Sequence, residues 1–267
     1  MKIWLNGVSA EQISLRDRGL QFGDGVFRTM RCCGGEVALF DAQYARLQQD
    51  ADKLGIAVPD KAILQQWLQP ASQLPGAVVI KVVLTRGESE RGYAVPAGTR
   101  PNCVIYAQPV PAAGRQWRDE GIAARICTTR LAVQPALAGI KHLNRLENVI
   151  ARREWDDGAI VEGLMLDTDG WVVEGVMSNL FFVRRGMLCT PDLGRCGVAG
   201  VMRSEIMRQR ETAIGQFDLG TLLEADEAFV CNSVMGIVPL RRIGERNLPI
   251  GPVTRGLQEL WIDTFAE

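Results

Sequence analysis

Two glycine-containing turns limit most strongly the folds open to this chain. Each turn separates two apolar segments of strand-like composition, and such two-residue turns are typical of β-hairpins. The predicted hairpins comprise residues 26–33 and 36–40 around Gly34-Gly35, and residues 159–166 and 171–174 around Asp169-Gly170. The sequence therefore predicts one β-hairpin in each half of the chain.

Segments with helical periodicity lie between and after these hairpins. In one of them, apolar residues from Tyr44 to Leu54 recur on a single helix face, and we expect Asp41 to cap the helix and Gly55 to end it. Further helices are predicted at about 60–69, 144–155, 200–210 and 252–265, and further strands at 3–5, 77–85, 103–107, 122–129, 179–183, 227–231 and 237–240. Because helices and strands mix without regular βαβ alternation, the predicted class is α+β.

A change in composition divides the chain into two predicted domains. Residues 108–121 collect Pro109, Pro111, Gly114 and several charges, which is typical of a linker. We therefore predict an N-terminal α+β domain at 1–108, a linker at 109–121 and a C-terminal α+β domain at 122–267. The length of 267 residues is enough for two domains that each bury a core.

Charge and hydropathy exclude several classes of protein. The chain has 30 Lys and Arg against 31 Asp and Glu, a balance that argues against a dedicated nucleic-acid binder. The most apolar stretch, residues 77–84, is interrupted by Lys81 and is too short to span a bilayer. The N-terminus becomes polar too early for a secretory signal. We expect a cytoplasmic protein that binds neither nucleic acid nor membranes.

Three residue types restrict the chemistry. The seven cysteines are odd in number and show no C-x-x-C spacing, so a disulfide framework or a zinc site is not expected. His142 is the single histidine, and any Ser-His-Asp or Cys-His mechanism would depend on it. The chain has five lysines, so an amine nucleophile has few candidates.

Two residues are candidates for catalysis. Lys141 follows the apolar residues 137–140 and precedes a predicted helix, and a lysine in an apolar setting can act as a nucleophile toward an aldehyde. The alternative is a solvent-exposed lysine at a helix start. Glu174 ends an otherwise apolar strand, where a carboxylate can face a cationic ring nitrogen or can simply lie at a rim.

Three other segments are candidates for binding an anion. Gly200-Val201-Met202-Arg203 opens a predicted helix, whose free N–H groups favour negative charge. Arg46, among apolar neighbours on a helix, offers a guanidinium, and Asn232-Ser233 offer a hydroxyl after a strand. By contrast, Gly23-Asp24-Gly25 lacks the spacing of a dinucleotide-binding motif and is interpreted as a tight turn.

Taken together and in order, these segments resemble the fold-type IV pyridoxal-phosphate enzymes, which include branched-chain and D-amino acid aminotransferases. The resemblance covers nearly the whole chain, and the string Gly139-Ile140-Lys141-His142-Leu143-Asn144-Arg145-Leu146-Glu147 is the most similar to the aminodeoxychorismate lyase branch. The strings Gln21-Phe22-Gly23-Asp24-Gly25-Val26-Phe27 and Arg91-Gly92-Tyr93 also match that branch.

The resemblance implies a two-domain fold with a barrel-like C-terminal domain, pyridoxal 5′-phosphate between the domains and a homodimer. It implies that Lys141 bonds to the cofactor's aldehyde and that Glu174 holds the pyridine nitrogen. The residues implied to hold the phosphate are Arg46, Val201, Met202 and Ser233.

The lyase branch implies a substrate with two carboxylates, 4-amino-4-deoxychorismate, which is converted to 4-aminobenzoate and pyruvate. Lys141 would remove the proton from the amine-bearing ring carbon before elimination. Arg28, Arg86 and Arg91 are candidates for the carboxylates because a guanidinium suits them, although each can equally be a surface charge. Close relatives can carry a threonine at position 28 for proton transfer; here Arg28 stands there, with Thr29 beside it.

Two alternatives remain open at this level. An aminotransferase for branched-chain or D-amino acids would use the same cofactor residues. A regulatory protein that kept the scaffold without catalysis would not need both Lys141 and Glu174, so their presence argues against it.

Overall fold

The computed structural model describes residues 1–265 of the chain. These residues form two compact units: an N-terminal unit of residues 1–111 with 141–144, and a C-terminal unit of residues 112–140 with 145–265. The short segment that carries Lys141 thus clusters with the first unit although it lies far along the chain. The sequence had given no reason to separate this segment from its neighbours.

The N-terminal unit is an antiparallel sheet with helices. Its elements are β1 (Lys2–Leu5), β2 (Val8–Ser9), α1 (Arg18–Phe22), β3 (Gly25–Cys33), β4 (Glu36–Val37), α2 (Phe40–Leu54), α3 (Lys61–Ser72), β5 (Val78–Thr85) and β6 (Asn102–Pro109). Among the described residues, six strands pair in the order β2-β1-β6-β5-β3-β4. The hairpin predicted at Gly34-Gly35 is confirmed, because Cys33 pairs with Glu36.

Helix α2 packs on β3 and follows the predicted apolar face, with Leu47 and Ala51 buried. It ends at Gly55, whose φ of 66° is the left-handed conformation expected of a C-terminal glycine. The predicted N-cap at Asp41 is wrong: the cap is Leu39, and Asp41 lies in the first turn. β4 ends at Val37, so the chain turns into the helix two residues earlier than the sequence pattern suggested.

The C-terminal unit is built on a larger sheet. Its elements are α4 (Gly114–Glu120), β7 (Ile122–Leu131), α5 (Leu146–Arg152), β8 (Ile160–Asp167), β9 (Val172–Gly175), β10 (Asn179–Arg184), β11 (Met187–Pro191), α6 (Val201–Gln209), β12 (Ala213–Gly215), α7 (Leu219–Leu223), β13 (Glu227–Asn232), β14 (Gly236–Ile243), β15 (Arg246–Asn247), α8 (Pro252–Glu259) and α9 (Ile262–Phe265). Within residues 112–265 the strand order is β12-β11-β10-β13-β14-β7-β8-β9, with β15 on β14.

This sheet curls. β9 lies at one end of the strand order, yet the Gly175 N–H donates to the Ser178 carbonyl just before β10 (2.8 Å). Aromatic rings pack on both faces of β10: Phe181 stacks on Phe229 at 5.1 Å between centroids, and Phe182 meets the partly buried Phe217 edge-on at 4.9 Å. The curl brings the start of β10 beside the end of β9, which is where Glu174 lies.

Several predicted element bounds need correction. The expected linker contains helix α4, in which Gly114 is buried and Arg118 bonds the Met235 carbonyl (3.4 Å), so this segment packs on the C-terminal unit. The predicted C-terminal helix is broken into α8 and α9, and the helix expected at 144–155 is shorter, running only from Leu146 to Arg152. The strands β2, β11, β12 and β15 and the helices α1 and α7 were not predicted, and all are five residues or shorter.

Within residues 1–265, no helix combines the length and the apolar character needed to cross a membrane.

Candidate active site

The main chain of Lys141 is held on both sides inside the N-terminal unit. Its carbonyl accepts a hydrogen bond from the Phe27 N–H (2.9 Å), and the Leu143 N–H donates to the Gly25 carbonyl (3.0 Å). These bonds flank a β-bridge between Val26 and His142. On the other side, the Lys141 N–H donates to Asp50 Oδ2 at 2.9 Å. The residue is therefore fixed in extended backbone against β3.

The side chain of Lys141 shares an aromatic ring with a second lysine. Its Nζ lies 4.6 Å from the centroid of Phe27, and the Nζ of Lys81 lies 4.8 Å from the same centroid. Partial burial of Lys81 lowers the pKa of its ammonium group. The sequence analysis had assigned neither Phe27 nor Lys81 to the site. This surface of the sheet therefore presents two amino groups against one ring.

Arg28 and Asp50 form a buried ion pair that contacts the backbone of Lys141. Both side chains are 3% exposed, and an Nη atom of Arg28 donates to the same Asp50 oxygen that accepts from Lys141. Burial and the nearby charge of Arg46 together lower the pKa of Arg28 to about 10. The negative charge of Asp50 acts in the opposite direction. Arg28 still carries its charge at neutral pH. The structure thus places Lys141, Arg28 and Arg46 of the predicted set in one neighbourhood.

Glu174 lies at the end of β9 in the C-terminal unit and is 3% exposed. Its Oε2 accepts hydrogen bonds from the Val198 N–H (2.9 Å) and from Asn179 Nδ2 (3.3 Å). The rim alternative is therefore wrong for this carboxylate. Two donors thus bond to one oxygen of this buried carboxylate. Such a group can hold a cationic ring nitrogen.

The N-terminus of α6 lies next to this acid. The Gly200 N–H donates to Asn179 Oδ1 (3.1 Å), so Asn179 bonds both to the acid and to the start of the helix. A Cβ at Gly200 would lie 2.3 Å from that oxygen, so only glycine fits there. Val201 and Met202 are the first two helical residues, whose N–H groups have no intrahelical acceptor. This end of the helix can bind an anion.

Ser233 lies at the same end of the sheet. It follows β13, which pairs with β10 so that Cys231 lies opposite Asn179. The side chain of Asn232 fixes the turn, accepting from Val234 and Met235 N–H groups (2.9 and 2.8 Å) and donating to the Met177 carbonyl (3.2 Å). The structure therefore brings together Glu174, Val201, Met202 and Ser233 of the predicted residues.

Glu162 is a second buried acid at this end of the sheet, and the sequence analysis missed it. Burial raises its pKa to about 7, although hydrogen bonds from Ser178 Oγ (2.7 Å), Gly163 N–H (2.9 Å) and Val176 N–H (3.0 Å) favour its charged form. A Cβ at Gly175 would lie 2.9 Å from its carboxyl carbon. Glu162 thus holds the turn that joins β9 to β10.

The N-terminal unit also carries the three remaining candidates. Arg86 donates to Asp24 Oδ2 (2.7 Å) and to the carbonyls of Leu54 and Gly55, at the end of α2. Arg91 is exposed in the loop after β5 and lines a surface depression with Arg16 and Gln21. Thr29 is half-buried on β3 and pairs with Lys81 in register.

Comparison with known proteins assigns the family. A sequence model of the amino-transferase class IV family matches residues 25–243. The chain belongs to this family. The match spans β3, the Lys141 segment, Glu174 and α6, so it includes every element that carries a predicted cofactor residue. The α+β class and the resemblance to fold-type IV enzymes are therefore confirmed.

Individual members of the class IV family differ in activity. The chain is 34% identical to aminodeoxychorismate lyase from Vibrio harveyi, over 96% of this chain and 97% of the relative. It is 30% identical to a putative branched-chain-amino-acid aminotransferase from Methanocaldococcus jannaschii, over 98% and 96%. A crystal structure of 4-amino-4-deoxychorismate lyase from Pseudomonas aeruginosa is 45% identical and superposes with a TM-score of 0.93, covering 98% of each chain.

Proposed function

We propose that this chain is a pyridoxal-phosphate-dependent lyase that converts 4-amino-4-deoxychorismate to 4-aminobenzoate and pyruvate. The observation that carries this choice is the likeness over nearly the whole length to the Pseudomonas lyase. The likeness to the Vibrio lyase supports it independently at the level of sequence. Within the class IV family, overall similarity therefore favours a lyase.

The polar groups of the described residues fit this cofactor. Glu174 is a buried carboxylate suited to the ring nitrogen, and the first N–H groups of α6 have no acceptor within the helix. We propose that Val201, Met202, Ser233 and Arg46 hold the phosphate. The Gly139 carbonyl accepts from the Ala199 N–H (3.0 Å), and Lys141 follows Gly139 by two residues. Lys141 is proposed to bond to the aldehyde carbon.

Pyridoxal phosphate supplies an aldehyde that bonds to amines and a cationic ring that withdraws electrons from the neighbouring carbon. Glu174 would keep the proton on the ring nitrogen because a charged carboxylate stabilises a cation beside it. The substrate amine would replace Lys141 on the aldehyde carbon. The freed Nζ of Lys141 would then take the proton from the amine-bearing ring carbon of the substrate and could pass it on to the leaving enolpyruvate. The electrons of that C–H bond form the new ring double bond as the C–O bond to enolpyruvate breaks. The enolpyruvate leaves and takes up a proton to become pyruvate.

The two carboxylates of the substrate need cationic partners. Arg86 already binds protein oxygens, and Arg28 is paired with Asp50. Arg91 is exposed, and its guanidinium is available to a carboxylate in the fork geometry that arginine favours. We therefore propose Arg91 as a substrate residue. We also propose Thr29, because it lies two positions after Phe27 on β3 and so shares that face of the sheet.

Replacing Lys141 tests the proposal. Lys141→Ala is expected to lose both turnover and the yellow, borohydride-sensitive absorption of lysine-bound cofactor. Lys61→Ala is the matched control, because Lys61 makes only a surface ion pair with Asp41, and it should keep both. A Lys141→Ala protein that still converts the substrate at the normal rate would overturn the proposal.

An aminotransferase is the second candidate, supported by the 30% identity to the Methanocaldococcus relative. Both activities need the same cofactor residues, so the products must separate them. Incubation with 4-amino-4-deoxychorismate should release pyruvate without any keto-acid acceptor. Amino transfer to a keto acid, with no pyruvate from that substrate, would select the aminotransferase instead.

We further propose that the protein is a cytoplasmic homodimer. The seven cysteines are all free within the described part of the chain, as suits a reducing compartment. Light scattering after size exclusion should give twice the mass of one chain, and a monomer mass would contradict the dimer.

A further inference from the structure

Asp50 is a buried carboxylate that accepts hydrogen bonds from two donors at one oxygen. Its side chain is 3% exposed, and Oδ2 accepts from the backbone N–H of Lys141 and from the guanidinium of Arg28. Asp50 lies on α2, whereas Lys141 lies 91 residues further along the chain. This contact therefore connects the helix to the backbone of the candidate catalytic lysine.

The contact completes a clamp on that backbone. On the opposite side, β3 holds the Lys141 carbonyl through the Phe27 N–H (2.9 Å). Phe27 is also the residue whose ring lies 4.6 Å from the Lys141 Nζ. With both backbone groups bonded, the Cα–Cβ direction of Lys141 is set, and its amino group is directed toward this ring.

Arg28 makes the clamp stable. A buried carboxylate that loses its counter-charge is strongly disfavoured, whereas a paired and hydrogen-bonded one is tolerated. Arg28 is buried, and its guanidinium is already bonded to Asp50, the carboxylate that accepts from the Lys141 N–H. This arrangement differs from a role in binding a substrate carboxylate, which the sequence had suggested for Arg28.

We propose that Arg28 and Asp50 are a pair of positioning residues that fix the backbone of Lys141 for proton transfer. The part of this proposal that concerns turnover rests on the proposed lyase function. The structural part, the hydrogen bond from the Lys141 N–H to Asp50, is independent of any reaction.

Selective labelling tests the structural part directly. The chain has five lysines, so protein grown with 15N-lysine gives five backbone amide signals, and Lys141→Arg identifies the one of interest. In the purified full-length protein, Asp50→Ala should speed hydrogen exchange of the Lys141 amide by about tenfold or more. The Lys81 amide in the central strand β5 is the internal reference and should not change. Equal protection of Lys141 in wild type and Asp50→Ala would overturn the proposal.

Kinetics then separate positioning from substrate binding. Asp50→Ala and Arg28→Met should lower kcat by about tenfold or more with KM within about twofold, because the lysine and not the substrate site is disturbed. Asp50→Asn keeps a carbonyl oxygen for the Lys141 N–H and should restore most of kcat and of the amide protection. If Asp50→Ala does not fold, Arg28→Met carries the test through its kcat, its KM and the exchange rate of the Lys141 amide.

The opposite kinetic pattern would refute the proposal. An Arg28→Met protein with a KM raised tenfold or more and an unchanged Lys141 amide would assign Arg28 to the substrate. If the wild type shows no lyase turnover, the proposed function fails, while the amide exchange of the Asp50 variants still decides whether Asp50 holds Lys141.

Discussion

Asp50 Oδ2 lies 2.9 Å from the backbone nitrogen of Lys141, although 91 positions separate the two residues. Helix α2, the strand β3 and the segment around Lys141 therefore form one local structure. A lysine that must act as nucleophile and base needs a defined direction, since small displacements of a reacting group reduce rates sharply. The hydrogen bonds of its backbone give that direction.

Glu174→Gln should lower turnover by about 100-fold or more, because a neutral amide no longer stabilises the proton on the ring nitrogen. The substitution keeps the size of the side chain and an oxygen for the Val198 N–H, so the fold should be retained. The measurement is kcat with the cofactor saturating. Glu224→Gln, at an exposed acid of the same unit, is the control, and equal kcat in both variants would refute the role of Glu174.

Gly200→Ala should weaken cofactor binding and lower the free energy of unfolding by about 1–3 kcal/mol, since the new Cβ would lie 2.3 Å from Asn179 Oδ1. Asn179 would have to move, and it bonds to Glu174. Denaturant unfolding and cofactor titration measure the two effects. Gly158→Ala is the matched control because no atom lies within 4 Å of its Cβ position. Similar results for both alanine variants would contradict the steric argument.

The stability of the protein should fall as the pH rises through the titration of Glu162. Its folded-state pKa of about 7 lies above the ordinary 4.5, so its contribution is fully present below pH 4.5 and is lost as the pH approaches and passes 7. The free energy of unfolding should drop by up to roughly 3 kcal/mol relative to Glu162→Gln, which cannot titrate. Denaturant unfolding of both proteins between pH 5 and about 8 measures this. Parallel pH profiles would show that the buried carboxyl does not titrate in this range.

Two predicted substrate arginines should behave differently. Arg86→Ala should lower the free energy of unfolding by about 1–3 kcal/mol, because two carbonyls at the end of α2 lose a donor and Asp24 loses one of its two arginine partners. Arg91→Ala should leave stability unchanged and raise KM for the lyase substrate, because Arg91 is exposed. Unfolding curves and steady-state kinetics on both variants decide this. A normal KM for Arg91→Ala would remove Arg91 from the substrate site.

Local patterns were sufficient to predict much of the fold. The Gly34-Gly35 hairpin, the apolar face of α2 and its end at Gly55 follow from turn chemistry and helical spacing, which depend on neighbours in the sequence. The short elements β2, β12 and α7 were missed because so few residues carry no periodicity, and they exist through pairing or packing with distant segments.

The same distinction applies to the candidate site. Lys141, Glu174 and the glycine-opened helix α6 could be put forward as candidates from the sequence, because each residue type in its local pattern suits one chemical task and their order along the chain matches a known family. The partners of these residues were not predictable. In the sequence they are ordinary polar residues without a distinctive pattern. They are Asp50, which bonds the Lys141 backbone, Asn179, which bonds Glu174 and the start of α6, and Glu162, which holds the β9–β10 turn.

The amino-acid sequence by itself determined the chemical groups, the local helices and hairpins and the family, since these depend on residue type and near neighbours. Only the tertiary structure decided that Arg28 pairs with Asp50 and that Arg86 closes α2. Whether an arginine binds another protein group or remains exposed depends on which residues pack beside it, and a buried charge must have a partner that folding alone brings to it.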